Sequence, residues 1–281
     1  MAFFMRSAMI QVGTSKYSLD DGFQFDFEVP FFDSDELSTA TISINNMGPA
    51  ARAAIQKNQV VILNAGYQDD IGVLFVGQVA TYNHKQSGVD WQTKITATAA
   101  LDQWLNSYVN KSYLEGSTAE DIVRDLLNMF GLEIGVFQLV ENKVYPRGRV
   151  CAGKLKDILT EIVIKECKSR FLIRMNQVII NNPAEGVATG YLLTPETGLL
   201  MYSEDSDSKE ADTGSGKTAE EKEKKEKTWK RKCLLNYRMG AGDLIQIQSK
   251  DLQGKFQIIS GSHKGTPSGA WETTIEVRMV G

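Results

Sequence analysis

Residues 84–96 read HKQSGVDWQTKIT, and residues 263–276 read HKGTPSGAWETTIE. Both carry His-Lys, then Ser-Gly, then Trp-x-Thr-x-Ile, with small length changes in the turn. The text upstream is also alike: VVILNAGY (60–67) and GVLFVGQV (72–79) precede the first stretch, and DLIQIQSK (243–250) and GKFQIISG (254–261) precede the second. This shared order of residue types, in matching strand contexts, points to a single strand–turn–strand unit present twice, about 180 residues apart. The runs alternate apolar and polar residues with period two, which puts one face of each strand into a core and leaves the other outside. A duplicated antiparallel β architecture is the expectation from which the rest of the chain is read.

Around the first copy, FQFDFEVPFF (23–32), TATISIN (39–45) and DWQTKITATA (90–99) extend the strand text into a small barrel or sandwich. PAARAAIQ (49–56) fits one short helix, since Pro suits a first helical turn. The period changes after about Leu101. Ser117-Thr118-Ala119-Glu120 reads as a capping box, and Ile122, Val123, Leu126, Leu127 and Phe130 follow at helical spacing before Gly131. Leu155, Ile158, Leu159, Ile162 and Val163 mark a second helix over about 154–168, and FLIRMNQVIIN (171–181) reads as a hairpin. Beyond Gly186, YLLTP and TGLLMYS lead into a stretch with no large aliphatic residue from Ser203 to Lys227, after which strand text resumes at Lys232. The expected class is therefore α+β: two similar small antiparallel β-barrel domains (1–104 and 186–281) flank a mixed α/β domain (105–185). A charged, flexible insert at 203–230 interrupts the second barrel.

Lys and Arg number 31 against 35 Asp and Glu, a net charge of −4, so no overall field draws the chain to nucleic acid or an anionic membrane. The apolar N-terminus MAFFMRSAMIQVG is interrupted by Arg6 and lacks the pattern of a cleaved signal. No apolar run approaches the roughly 18–20 residues of a membrane helix, so no membrane insertion is expected. Cys151, Cys167 and Cys233 form no C-x-x-C pair and read as buried free thiols of a protein made in a reducing cytosol.

One stretch invites an enzymatic reading. ADTGSGKT, Ala211 to Thr218, ends like a phosphate-binding loop, but the loop's first glycine is replaced by Ala211. Its approach, SEDSDSKEAD, is acidic, and its exit, although Thr218 and Glu221 could cap a helix, is polar all round. A nucleotide-binding enzyme built on Ala211–Thr218 is thus the alternative reading rather than the leading one. His84 and His263 are the only two histidines, and they occupy parallel places before Gly-containing turns, which favours a structural role over catalysis or metal binding. Trp91 and Trp271 read as strand residues packing one face of each barrel, which disfavours a cell-surface or carbohydrate-binding module. Asp69-Asp70 reads as a solvated pair in a hairpin turn. No catalytic, cofactor-binding or metal-ligating residue is assigned, and no cofactor is expected.

With these pieces in order, the chain resembles the baseplate hub proteins of contractile phage tails and related phage-derived particles, the tail-hub or late-control group. The resemblance rests on TISINNMGPAARAAIQKNQVVILNAGY with LFVGQVATY, on WLNSYV to YLEGSTAEDIVRDLL, and on TGLL, LLNYRMGAGDLIQIQS, GKFQIISGSHK and WETTIEV. It covers nearly the whole chain apart from 203–230, and its specificity lies in the order of the pieces. It implies a non-enzymatic homotrimer in the virion tail baseplate, assembled in the host cytoplasm. Two like barrels per subunit would form a pseudo-six-fold collar joining the hexameric tail tube to the trimeric spike. The implied partners are tube, spike and baseplate components, and a tape-measure protein. The charged insert departs from this pattern.

Overall fold

The computed structural model describes residues 5–33, 38–68, 70–99, 107–174, 177–204 and 228–280. The first lobe contains β1 (Arg6–Val12), β2 (Ser15–Ser18), β3 (Phe25–Phe32), β4 (Thr39–Asn45), β5 (Val60–Tyr67), β6 (Asp70–Ser87) and β7 (Asp90–Thr98). A one-turn helix, α1 (Pro49–Ala53), lies between β4 and β5 with Pro in its first turn. The alternation works as expected: in β4, Ala40, Ile42 and Ile44 are fully buried and the Thr and Ser residues between them are not.

The middle unit is built from β8 (Tyr108–Tyr113), β9 (Ser117–Thr118), β10 (Glu133–Phe137), β11 (Val144–Tyr145), β12 (Arg149–Lys154), β13 (Arg170–Arg174) and β14 (Gln177–Asn181). Helix α2 (Ala119–Met129) buries Ile122, Val123, Leu126 and Leu127 on one face. The capping box lies one residue later than the sequence suggests. Thr118 is the cap; its Oγ1 accepts from the Asp121 N–H at 3.2 Å, and the Asp121 carboxylate accepts from the Thr118 N–H at 3.2 Å. Ser117 and Thr118 are held extended by antiparallel pairing with Tyr145 and Val144, so Ser117 cannot begin the helix. The second helix, α3 (Leu155–Leu159), continues through Thr160–Glu166 with wider π-type bonding, seen where Cys167 N–H reaches Ile162 O. The hairpin appears as antiparallel β13 and β14, with β10 added parallel to β14.

The last lobe holds β15 (Val187–Leu193), β16 (Leu199–Glu204), β17 (Thr228–Leu234), β18 (Asp243–Gln248), β19 (Gln253–Gly265) and β20 (Trp271–Met279). The two β lobes do not stand apart. A single 13-stranded sheet runs β16-β17-β20-β19-β3-β4-β7-β6-β5-β1-β2, with β18 pairing β19 and β15 pairing β18. No pairing among the described residues closes either lobe into a barrel. The expected barrels are instead two halves of an open, mainly antiparallel sheet, joined where β3 of the first lobe pairs with β19 of the second. Each lobe and the middle unit has its own apolar cluster, and the first lobe's cluster also takes in Leu235 and Trp271 from the far end of the chain. Of the expected insert at 203–230, residues 203–204 and 228–230 belong to β16 and β17, and 205–227, including Ala211–Thr218, lie outside the described residues.

Candidate functional site: a duplicated sheet and its seam

The sequence echo is a structural repeat. In the first lobe the strand order is β5-β6-β7-β4-β3; in the second it is β18-β19-β20-β17-β16. The equivalence extends to the register. His84 faces Thr93 and Gln86 faces Trp91, as His263 faces Thr273 and Gly265 faces Trp271. Both long strands bulge at the same place, between Val79 and Thr81 in β6 and between Ile258 and Ser260 in β19. Even the polar contact repeats: Nδ1 of His84 lies 3.0 Å from Thr93 Oγ1, and Nδ1 of His263 lies 2.9 Å from Thr273 Oγ1. A bulge adds one residue, bends its strand and raises the local twist, so its repetition gives both lobes the same bend.

The histidines thus sit within strands, not at their ends before the turns, and make cross-strand contacts. Their surroundings differ. His263 is buried, packs its ring 4.7 Å from that of Phe31, and burial pushes its pKa down to about 3. His84 is half-buried beside the exposed Tyr82. The tryptophans diverge likewise. Trp271 is buried at the seam, edge-on to Phe27 at 5.4 Å, with its indole N–H donated to Gly66 O at 3.0 Å. Trp91 is half-buried, with the Arg52 guanidinium 3.9 Å over its ring.

At the seam β3 runs antiparallel to the second half of β19, with Val29 opposite His263, Glu28 opposite Lys264 and Phe27 opposite Gly265. Glycine is needed here, because a Cβ on Gly265 would stand 2.2 Å from the Phe27 ring. Arg6 closes one end, donating to Thr266 O at 3.0 Å and Pro267 O at 3.2 Å.

A band of charge holds the three units together. Asp70 accepts from both terminal nitrogens of Arg238, at 2.6 and 2.5 Å, and from Tyr237 Oη at 2.9 Å. These bonds, Arg238's first, hold its carboxyl below the usual range. Asp70 is therefore not the solvated turn residue read from the sequence: it lies in β6, and its partners stand more than 160 positions away. Asp69 lies outside the described residues. Arg174 of the middle unit reaches Asp243 at 2.8 Å and donates to Arg238 O at 2.6 Å, while Arg170 pairs with Asp33 at 2.9 Å. Burial raises the carboxyls of Asp33 and Asp243, and the facing guanidinium groups oppose that rise. Beside Arg174 lies a cavity of about 60 Å³ lined by residues that include Phe31, Phe75, Leu172, Met239 and His263, with room for a few water molecules.

No group of three or more His, Cys, Asp or Glu among the described residues could hold a metal ion. No helix there is long and apolar enough to cross a membrane. Cys151, Cys167 and Cys233 are all buried free thiols, and desolvation raises each pKa, that of Cys233 to about 12.

The architecture matches solved structures end to end. A 43 kDa tail protein of prophage MuSo2 from Shewanella oneidensis aligns over 98% of this chain and 98% of its own, with a TM-score of 0.69 and 10% identity. The fold is that of phage tail proteins. A tail protein from Neisseria meningitidis MC58 aligns over 98% of this chain and 97% of its own, with a TM-score of 0.68 and 8% identity. The E. coli c3393 protein is described as a type VI secretion component with structural similarity to the T4 tail proteins gp27 and gp5. It aligns over 97% of this chain and 75% of its own, with a TM-score of 0.61 and 13% identity. No protein-family model matches the chain, and no curated protein sequence does. At 8–13% identity the likeness to these structures is one of fold rather than of residues.

Proposed function

We propose that this chain is a structural, non-enzymatic component of a phage-type contractile tail baseplate, a trimeric central hub that joins the hexameric tail tube to the trimeric spike. The observation that carries this reading is the duplicated five-strand order with its repeated bulge. A trimer of chains with two quasi-equivalent lobes presents six like surfaces to the tube and keeps three-fold symmetry for the spike, so duplication resolves the mismatch. The two lobes take the part of the two barrels of a hub protein, and the middle unit lies toward the outside or the spike. Tail tube, spike and baseplate components are the partners, with a tape-measure protein a further one, and the virion tail baseplate is the location. Tail-protein neighbours aligned along their full lengths support the reading. Light scattering on the purified chain tests it: a stable trimer with ring-shaped particles under negative stain is expected, and a monomer at micromolar concentration with no rings refutes it.

A further inference from the structure

Strand β13 ties the middle unit to both lobes, and side chains on a strand alternate between its faces. Phe171 and Ile173 pack into the middle unit's own apolar cluster, which contains no residue of either lobe. The alternate positions meet the lobes. Arg170 pairs with Asp33 of the first lobe and Arg174 with Asp243 of the last, and Leu172 between them is buried yet belongs to none of the three apolar clusters. The loop Gly240-Ala241-Gly242 comes close against this stripe. A Cβ on Gly240 would stand 2.6 Å from Arg174 Cζ, and one on Gly242 2.6 Å from Arg170 Nη1.

This contact is not built like a core. Arg170 and Asp33 keep only 4% and 12% of their side-chain surface in water, and Asp243 keeps none. Burial raises the carboxyl of Asp33 and lowers the guanidinium of Arg170, so desolvation outweighs attraction on both sides of that pair. Arg170 Nε, although near Asp33, and its Nη1 make no aligned hydrogen bond among the described residues. The cavity beside Arg174 is lined by Leu172 of the middle unit and by Phe31, Phe75 and Met239 of the lobes, so close packing is interrupted there. A buried ion pair with unsatisfied donors is less stable than packed apolar residues of the same volume, and polar contacts between units leave relative motion as the default.

We propose that the middle unit is a hinged body that lifts off the sheet as a folded unit, along the Arg170–Leu172–Arg174 face of β13, and closes again. Opening breaks the two ion pairs and the bonds from Arg174 to Arg238 O and from Arg170 to Pro183 O, and it wets Leu172. It leaves the 13-stranded sheet whole, because that sheet contains no strand of the middle unit. Pro183 O also accepts from Gln257 and Arg278 of the last lobe, at 3.2 and 3.3 Å, so Pro183 stays with the lobe and the pivot falls at Asn182, just after β14. The inference does not depend on how many copies assemble.

The test is thiol labelling of the full chain in native buffer, with Leu172→Cys and Ala241→Cys made separately as reporters on the two sides of the contact. Cys167 in the middle unit and Cys233 in the last lobe are buried internal references. Both introduced thiols should react at the same rate, about a hundredfold or more faster than the references, and with little dependence on low urea, because a sub-global opening exposes little surface. Either reporter alone suffices for the comparison with the references if the other fails to fold. Labelling at the references' rate and urea dependence would overturn the hinge, as would one reporter reacting fast while the other, folded, does not. In either background, Arg170→Met with Asp33→Leu should slow labelling about tenfold, since apolar packing replaces the costly pair. An unchanged or faster rate would overturn the part given to that pair.

Discussion

The indole N–H of Trp271 donates to the carbonyl of Gly66, 3.0 Å away and 205 positions earlier in the chain. The bond crosses from one lobe to the other and is buried beside Phe27 and under Arg6. Trp271→Phe keeps an aromatic ring but leaves the Gly66 carbonyl without that donor, at an expected cost of about 1–3 kcal/mol in urea unfolding. Trp91→Phe, which keeps a ring under the Arg52 guanidinium and only weakens that cation–π contact, should cost under about 1 kcal/mol.

The bidentate Arg238 contact holds Asp70 ionised. A carboxylate whose folded pKa is lowered contributes stability that is full above its unfolded value, about 4, and is lost as the pH falls through the folded one. Asp70→Asn should remove about 1 kcal/mol near neutrality and very little once the pH lies below the folded value. The modest size reflects an Arg238 side chain that is 38% exposed and so screened by solvent. Urea midpoints of both proteins across the acid range check it, and raising salt should shrink the difference.

His263 titrates in the opposite sense to a paired histidine. Its folded pKa is pushed down to about 3, so the unfolded chain takes up the proton first. Stability should decline as the pH drops below about 6.5 and go on declining toward about 3. His263→Gln can keep a contact with Thr273 without titrating, so the difference in unfolding free energy from wild type should narrow over that window.

Gly265→Ala tests how tightly the seam is packed. The new Cβ would stand 2.2 Å from the Phe27 ring, so the ring or strand β3 must shift. A loss of about 1–3 kcal/mol, the usual cost of overpacking, is expected in thermal or urea melts.

All three thiols should resist an aromatic disulfide reagent in the native protein, since burial keeps them protonated and out of reach. Three equivalents should react at once in denaturant. Rapid labelling of the native protein would contradict the burial of Cys151, Cys167 and Cys233.

Residue order alone suffices for a good part of the molecule. Alternation in TATISIN and WETTIEV names the buried face of β4 and β20, because side chains on a strand repeat every two residues whatever lies next to it. Helical spacing from Ile122 to Leu127 does the same for α2. The paired His-Lys and Trp-x-Thr-x-Ile stretches disclose the duplication because they keep one register in both lobes. Where local text misled, a distant partner intervened: β11 holds Ser117 extended and moves the helix cap to Thr118, and Arg238 takes Asp70 out of its supposed turn.

The fold in three dimensions was needed for everything that distinguishes the two copies. The same Trp-x-Thr-x-Ile stretch is buried around Trp271 and only half-buried around Trp91, and that shared stretch does not announce the difference. That difference arises because β3 closes on β19, a pairing between strands more than 220 positions apart. A pattern of apolar residues specifies which face of a strand is buried, but the partner along its edge is chosen by which backbone donors and acceptors remain free once the sheet has formed.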